Sequence, residues 1–219
     1  MQPYQATKYS PVEERFNIWS HAVGFMGSVL GTVLLLLKTL GTSNPRYAVS
    51  AAVYGASLLI LYAASTLYHN ATQPKLRNWL NIFDHAAIYV LIAGTYTPFC
   101  LVTLSGQTGL ILLACVWTFA LVGIILKLFF TGRYDTLSTL MYVFMGWMVI
   151  FAIKPLLANL PTEGLYWLFA GGISYMVGAV FYSIPQYIKY NHAAFHIFVL
   201  VGSWCHFMSI YFWVFSFQH

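Results

Sequence analysis

Seven long apolar stretches separated by short polar breaks run through the chain, at roughly 18–38, 47–69, 79–104, 108–130, 136–154, 164–184 and 192–216. A helix needs about 20 residues to cross a bilayer, so the pattern predicts seven spanning helices. The breaks carry loop chemistry: GTSNPR (41–46), NATQPK (70–75), SGQTG (105–109), TGRYD (131–135), LPTEG (160–164) and IPQYIKYN (184–191). Residues 1–17 are polar and lack the apolar core of a cleaved signal peptide, so they read as a tail ahead of a single seven-helix domain, 18–219. The expected fold is all-α, a polytopic seven-helix membrane bundle.

Composition agrees. Of 219 residues, 60% are hydrophobic and 7% charged, against about 25% charged in an average soluble domain. No room is left for a separate soluble domain. The net charge of +5 does not point to nucleic acid, because the ten Lys and Arg lie singly or in pairs between apolar runs and form no basic stripe. Their distribution instead predicts an orientation. Lys8, Arg15, Lys75, Arg77, Lys127, Arg133 and Lys189 fall on one side, and Lys38, Arg46 and Lys154 on the other. The positive-inside rule therefore puts the N-terminus in the cytoplasm and the C-terminus outside. Cys100, Cys115 and Cys205 form no CxxC pair and read as small apolar packing residues.

A histidine in hydrocarbon must find a partner or stay neutral at a cost, yet NHAAFHIFVLVGSWCHF (191–207) carries three. His192 and His196 are four apart, about 6 Å along one helical face, a spacing that lets two imidazoles hold one metal ion. Ser65 and His69 in STLYH share that spacing, so a hydroxyl and a third imidazole project from one face of the second helix. The predicted topology brings Ser65, His69, Asp84, His192 and His196 to one layer near the cytoplasmic face. Three neutral histidines with one position left for water make an open, catalytic type of zinc site. Asp84 then reads as a group that orients a ligand or takes a proton from water. Plainer readings exist for each piece: HxxxH as two polar contacts, and an aspartate in a first turn as a partner of the helix dipole. The coincidence of depth favours the metal.

The remaining histidines read differently. His206 lies ten residues beyond His196, about 15 Å further along the helix and rotated about 80°, so it is expected to make an interhelical hydrogen bond. His85 projects about 100° away from Asp84 and is left out of the ligand set. His21, at the same depth as the site, is a candidate neighbour of the ligands. Pro98 predicts a kink in the third helix, and Gly171, Gly172 and Gly178 predict close helix contact in the sixth.

The combination of SxxxH (Ser65, His69), an aspartate opening the next helix (Asp84) and HxxxH opening the last (His192, His196) resembles the hemolysin III branch of the progestin and adiponectin receptor family. That family is grouped with alkaline ceramidases in a superfamily of proposed membrane hydrolases. EERFNIWSHAVG (13–24), FDHAAIYVLIAGTYTPF (83–99) and FHIFVLVGSWCHF (195–207) extend the match over essentially all seven helices. The resemblance implies zinc held by His69, His192 and His196, with Ser65 and Asp84 beside it, a site that in the receptors and ceramidases is associated with hydrolysis of lipid amides such as ceramide. For bacterial members it implies a role in membrane lipid and energy homeostasis, with cytolytic activity ascribed to some. With a tail of only 1–17 in place of the receptors' long cytoplasmic N-terminal domain, hormone reception is not the expected role.

The leading expectation is therefore a zinc-dependent hydrolase of lipid amide or ester bonds in a bacterial plasma membrane. Membrane lipids are its substrates or ligands, and no protein partner is inferable. A second expectation keeps the zinc as a structural clamp between the second and seventh helices of a membrane regulator or sensor. A serine triad of Ser65, His69 and Asp84 would leave His192 and His196 unexplained. A secreted pore former is disfavoured because so apolar a chain has no soluble state.

Overall fold

The structure is a computed structural model that describes residues 6–131, 135–184 and 188–216. Among the described residues eight α-helices follow one another: α1 (Pro11–Thr39), α2 (Pro45–Asn70), α3 (Pro74–Pro98), α4 (Gln107–Phe130), α5 (Asp135–Trp147), α6 (Ile153–Asn159), α7 (Thr162–Ser183) and α8 (Asn191–Ser209). No strand occurs among the described residues. A 3-10 turn, Met148–Ala152, joins α5 to α6, and together they make one span, Thr136–Asn159, of the seven that are long and apolar enough to cross a membrane. The chain is an integral membrane protein built as a seven-span helical bundle.

Capping, not hydropathy, sets where the helices begin. Pro11, Pro45 and Pro74 occupy the first turns of α1, α2 and α3, where a missing N–H costs nothing. Ser10 caps α1 by accepting from the Glu13 N–H at 3.3 Å, and Asn44 caps α2 by accepting from Arg46 N–H at 3.1 Å. The first helix accordingly starts at Pro11 rather than at 18, so residues 11–17 of the expected polar tail are helical. The third starts at Pro74 rather than 79, which puts Asp84 nearly three turns inside α3 instead of one. The fifth span runs on to Asn159, past the expected end at 154.

The kink expected at Pro98 takes a specific form. Directly after it the backbone widens into a π turn, Phe99–Thr103, closed by Leu104 N–H donating to the Phe99 carbonyl at 2.8 Å. A second π turn, Ile210–Val214, ends α8, and the two turns pack together.

Lipid tails are as apolar as the helices, so close approach and interhelical hydrogen bonds must hold such a bundle together. Added Cβ atoms at Gly24, Gly94 and Gly123 would lie 2.6 Å from the Tyr62 ring, 2.2 Å from Ser57 Oγ and 2.4 Å from the Tyr89 ring. On α7 the same is true of Gly171 against His206, at 2.2 Å, and less so of Gly178 against Phe198, at 3.2 Å; Gly172 meets nothing within 4 Å. Cys100 and Cys205 are buried as expected of packing residues, whereas Cys115 is exposed among the outward-facing side chains. Neighbours in sequence pack side by side from α1 to α4, α7 packs on α8, and α1 closes the bundle by lying against both α2 and α8. That closure positions the site. Replacing Gly94 with valine should destabilise the bundle by about 1–3 kcal/mol, since overpacked methyl groups must displace α2. Thermal unfolding in detergent reads this as a lowered midpoint relative to wild type.

Candidate metal centre

His69, in the last turn of α2, and His192 and His196, in the first two turns of α8, meet in the interior. All three are buried, and one ring nitrogen from each lies within 4.8 Å of the others. His192 Nε2 is 3.2 Å from His69 Nε2 and 3.1 Å from His196 Nε2. The three histidines singled out from spacing are thus brought to one point.

The groups behind the rings fix which nitrogens carry protons. His69 Nδ1 lies 2.7 Å from Glu14 Oε2, so Nδ1–H donates to the carboxylate and Nε2 is left with its lone pair. His196 Nδ1 lies 3.3 Å from the Asn17 carbonyl and 3.2 Å from Ser20 Oγ. The Ser20 hydroxyl itself donates to Asn17 O, so both oxygens can accept the Nδ1 proton. Two Nε2 lone pairs therefore point toward His192 Nε2, which can donate to only one of them. A cation resolves this. Four-coordinate zinc with Zn–N bonds of about 2.0–2.1 Å places its ligand nitrogens roughly 3.3 Å apart, close to the two separations observed. The donor set therefore fits a borderline-soft metal with a preference for imidazole, such as zinc.

Glu14, Asn17 and Ser20 belong to α1, inside or next to the stretch expected to be a tail, and spacing alone did not single them out. One signal was available: the buried face of α1 includes Glu13, Asn17, His21, Gly24 and Ser28, a polar and small-residue stripe at helical period in an otherwise apolar span. Arg77 was likewise counted only as a loop charge. It is buried, ion-paired with Glu14, and donates to the carbonyls of Thr7, Tyr68, His69 and Ala71. Through Arg77 the carboxylate that holds His69 is itself held. The chain ahead of α1 also closes over the site: Ala6 N–H donates to Asn78 Oδ1 at 2.8 Å, and the Tyr9 ring stacks on His192 at 4.6 Å. Burial pushes the Tyr9 phenol above its ordinary value, so it stays neutral against that ring.

The other expected residues are placed as follows. Ser65 and Asp84 line one elongated cavity together with His21, His85 and His192. The buried Ser65 hydroxyl sits beside the Asp84 carboxyl. The group orienting a ligand is thus Glu14 for His69, while Asp84 faces the cavity. His21 stacks on His196 with ring centroids 3.6 Å apart, the neighbour role expected of it. His85 stays outside the histidine cluster and meets the Tyr182 hydroxyl at 3.2 Å. His206 donates from Nε2 to the Leu168 carbonyl across to α7, at 3.1 Å, the interhelical bond expected of it.

The haemolysin-III related family model matches residues 9–207. The chain belongs to this family. It is 45% identical over 202 residues to Hemolysin-3 of Bacillus cereus, covering 92% of each chain. It is also 45% identical over 201 residues to the Hemolysin-3 homolog of Bacillus subtilis (strain 168), covering 92% of this chain and 94% of the relative. A more distant similarity, 25% over 211 residues, reaches the human monocyte to macrophage differentiation factor, with 93% of this chain and 86% of that protein aligned. That similarity supports the wider tie to the progestin and adiponectin receptor family.

Removing the carboxylate behind a metal-bound histidine typically costs 10–100-fold in affinity. Glu14→Gln should therefore weaken zinc binding by about that factor in a chelator competition, while Ser65→Ala should leave the affinity unchanged.

Proposed function

We propose that this haemolysin-III family protein is a zinc-dependent hydrolase of lipid acyl amides or esters in the bacterial plasma membrane. The observation that carries this reading is the convergence of three histidine nitrogens beside a largely apolar cavity that His192 lines together with Ser65 and Asp84. When bound, zinc supplies Lewis acidity toward a carbonyl and a source of hydroxide near neutral pH. The chain's own groups do the rest. Apolar side chains of α3, α7 and α8 take up the acyl chain and keep water out. The buried Ser65 hydroxyl, beside Asp84, donates to the carbonyl oxygen as it becomes anionic. Asp84 accepts a proton from the attacking water and returns it to the departing nitrogen or oxygen. Glu14 and Arg77 keep His69 in the tautomer that binds metal. The positive-charge bias of the loops supports a site facing the cytoplasm.

A second reading has its own observation. The ligands come from α2 and α8, with α1 packed against both, so an ion there ties three helices together as a clamp in a sensor of membrane state. Asp84→Asn separates the two. Under the hydrolase reading the variant keeps its zinc but cleaves N-acyl amides, ceramide or phospholipid esters in mixed micelles about 100-fold or more slowly than wild type. Wild-type protein that carries zinc yet cleaves none of these probes favours the clamp.

A further inference from the structure

The cavity continues along α8 from His192 to His206, roughly 21 Å. At its end away from His192 two polar residues with no part in the proposed chemistry face each other: His206 of α8 and Tyr175 of α7, ring centroids 5.3 Å apart and both in the cavity wall. A carbonyl only accepts, so the contact of His206 Nε2 with Leu168 O puts the proton on Nε2 and makes Nδ1 an acceptor. Gly171 leaves room for that Nε2 edge against α7. Nδ1 is buried, and no protein group donates to it. An acceptor left unpaired in so apolar a setting is costly and calls for a donor.

Tyr175 completes the pair. The Tyr62 hydroxyl donates to Ser203 Oγ at 2.7 Å, and Ser203 Oγ lies 2.8 Å from the Tyr175 hydroxyl. One proton serves the Ser203–Tyr175 link, so Tyr175 keeps either a proton or a lone pair to spare. A hydroxyl group both donates and accepts, and thus matches His206 Nδ1 and Tyr175 together. His206 stands ten residues beyond His196, about 15 Å along the helix axis, or ~12 carbons of an extended acyl chain.

We propose that the cavity selects acyl chains bearing a hydroxyl about twelve carbons from the carboxyl carbon, with His206 and Tyr175 as the residues that recognise it. This rests on the reading of the cavity as an acyl site. The test is displacement of labelled octadecanoate from the detergent-purified full chain by unlabelled octadecanoate and by its 12-hydroxy and 7-hydroxy derivatives. The 12-hydroxy acid should bind about fivefold tighter than octadecanoate, the gain of one net hydrogen bond. The 7-hydroxy acid should bind more weakly than octadecanoate, because it buries a hydroxyl among apolar side chains. His206→Leu and Tyr175→Phe should each abolish the advantage of the 12-hydroxy acid over octadecanoate. Equal binding of the three acids by wild type, which depends on no variant folding, overturns the hydroxyl subsite and leaves the acyl site standing. A gain that survives His206→Leu also overturns the subsite. No binding of any of the acids overturns both.

Discussion

Lone pairs of imidazoles pointed at one another inside an apolar bundle repel unless something positive sits between them. At this centre His69 and His196 cannot escape by changing tautomer, because Glu14 and the Asn17 carbonyl hold their Nδ1 protons. The positions of α1, α2 and α8 all follow from that constraint. α2 must end where His69 reaches the interior, α8 must begin where HxxxH can meet it, and α1 must lie between them to supply the supporting oxygens. Arg77 extends the chain of dependence outward, since its charge balances Glu14 and its remaining N–H groups gather the carbonyls at the end of α2 and of the segment before α1.

The same arrangement separates two environments. On one side the ligands are covered by charged and aromatic groups, with Tyr9 over His192 and the Glu14–Arg77 pair behind His69. On the other, the cavity lined by Ser65 and Asp84 runs among apolar side chains as far as the π turn after Pro98. The broken segments serve that interior. The Tyr96 hydroxyl takes the Val149 N–H at 2.9 Å where the 3-10 turn interrupts the fifth span, so the turn's freed backbone is satisfied inside the protein rather than in lipid.

Much of this was legible in the residues. Seven apolar runs sufficed for the bundle, because hydrocarbon permits little but helices. The four-residue spacings in STLYH and HAAFH sufficed to single out the three histidines that the fold brings together, because imidazoles in such segments need a purpose. The supporting groups were harder to see. Glu14 and Arg77 are charged residues in stretches that hydropathy assigns to a tail and a loop, and only three-dimensional pairing distinguishes a buried ion pair from two solvated charges. Asp84 was legible as a candidate, but its depth was not, since Pro74 and not the first apolar residue starts α3. Pro98 announced a bend, whereas the π turn it leads into depends on packing against the end of α8.

Metal stoichiometry tests the central claim most directly. Plasma mass spectrometry on detergent-purified protein should find about one zinc per wild-type chain and none in a folded His192→Ala/His196→Ala variant, as three imidazoles sharing one ion require. Wild-type protein that carries no zinc after reconstitution, or a double variant that retains it, would contradict the account.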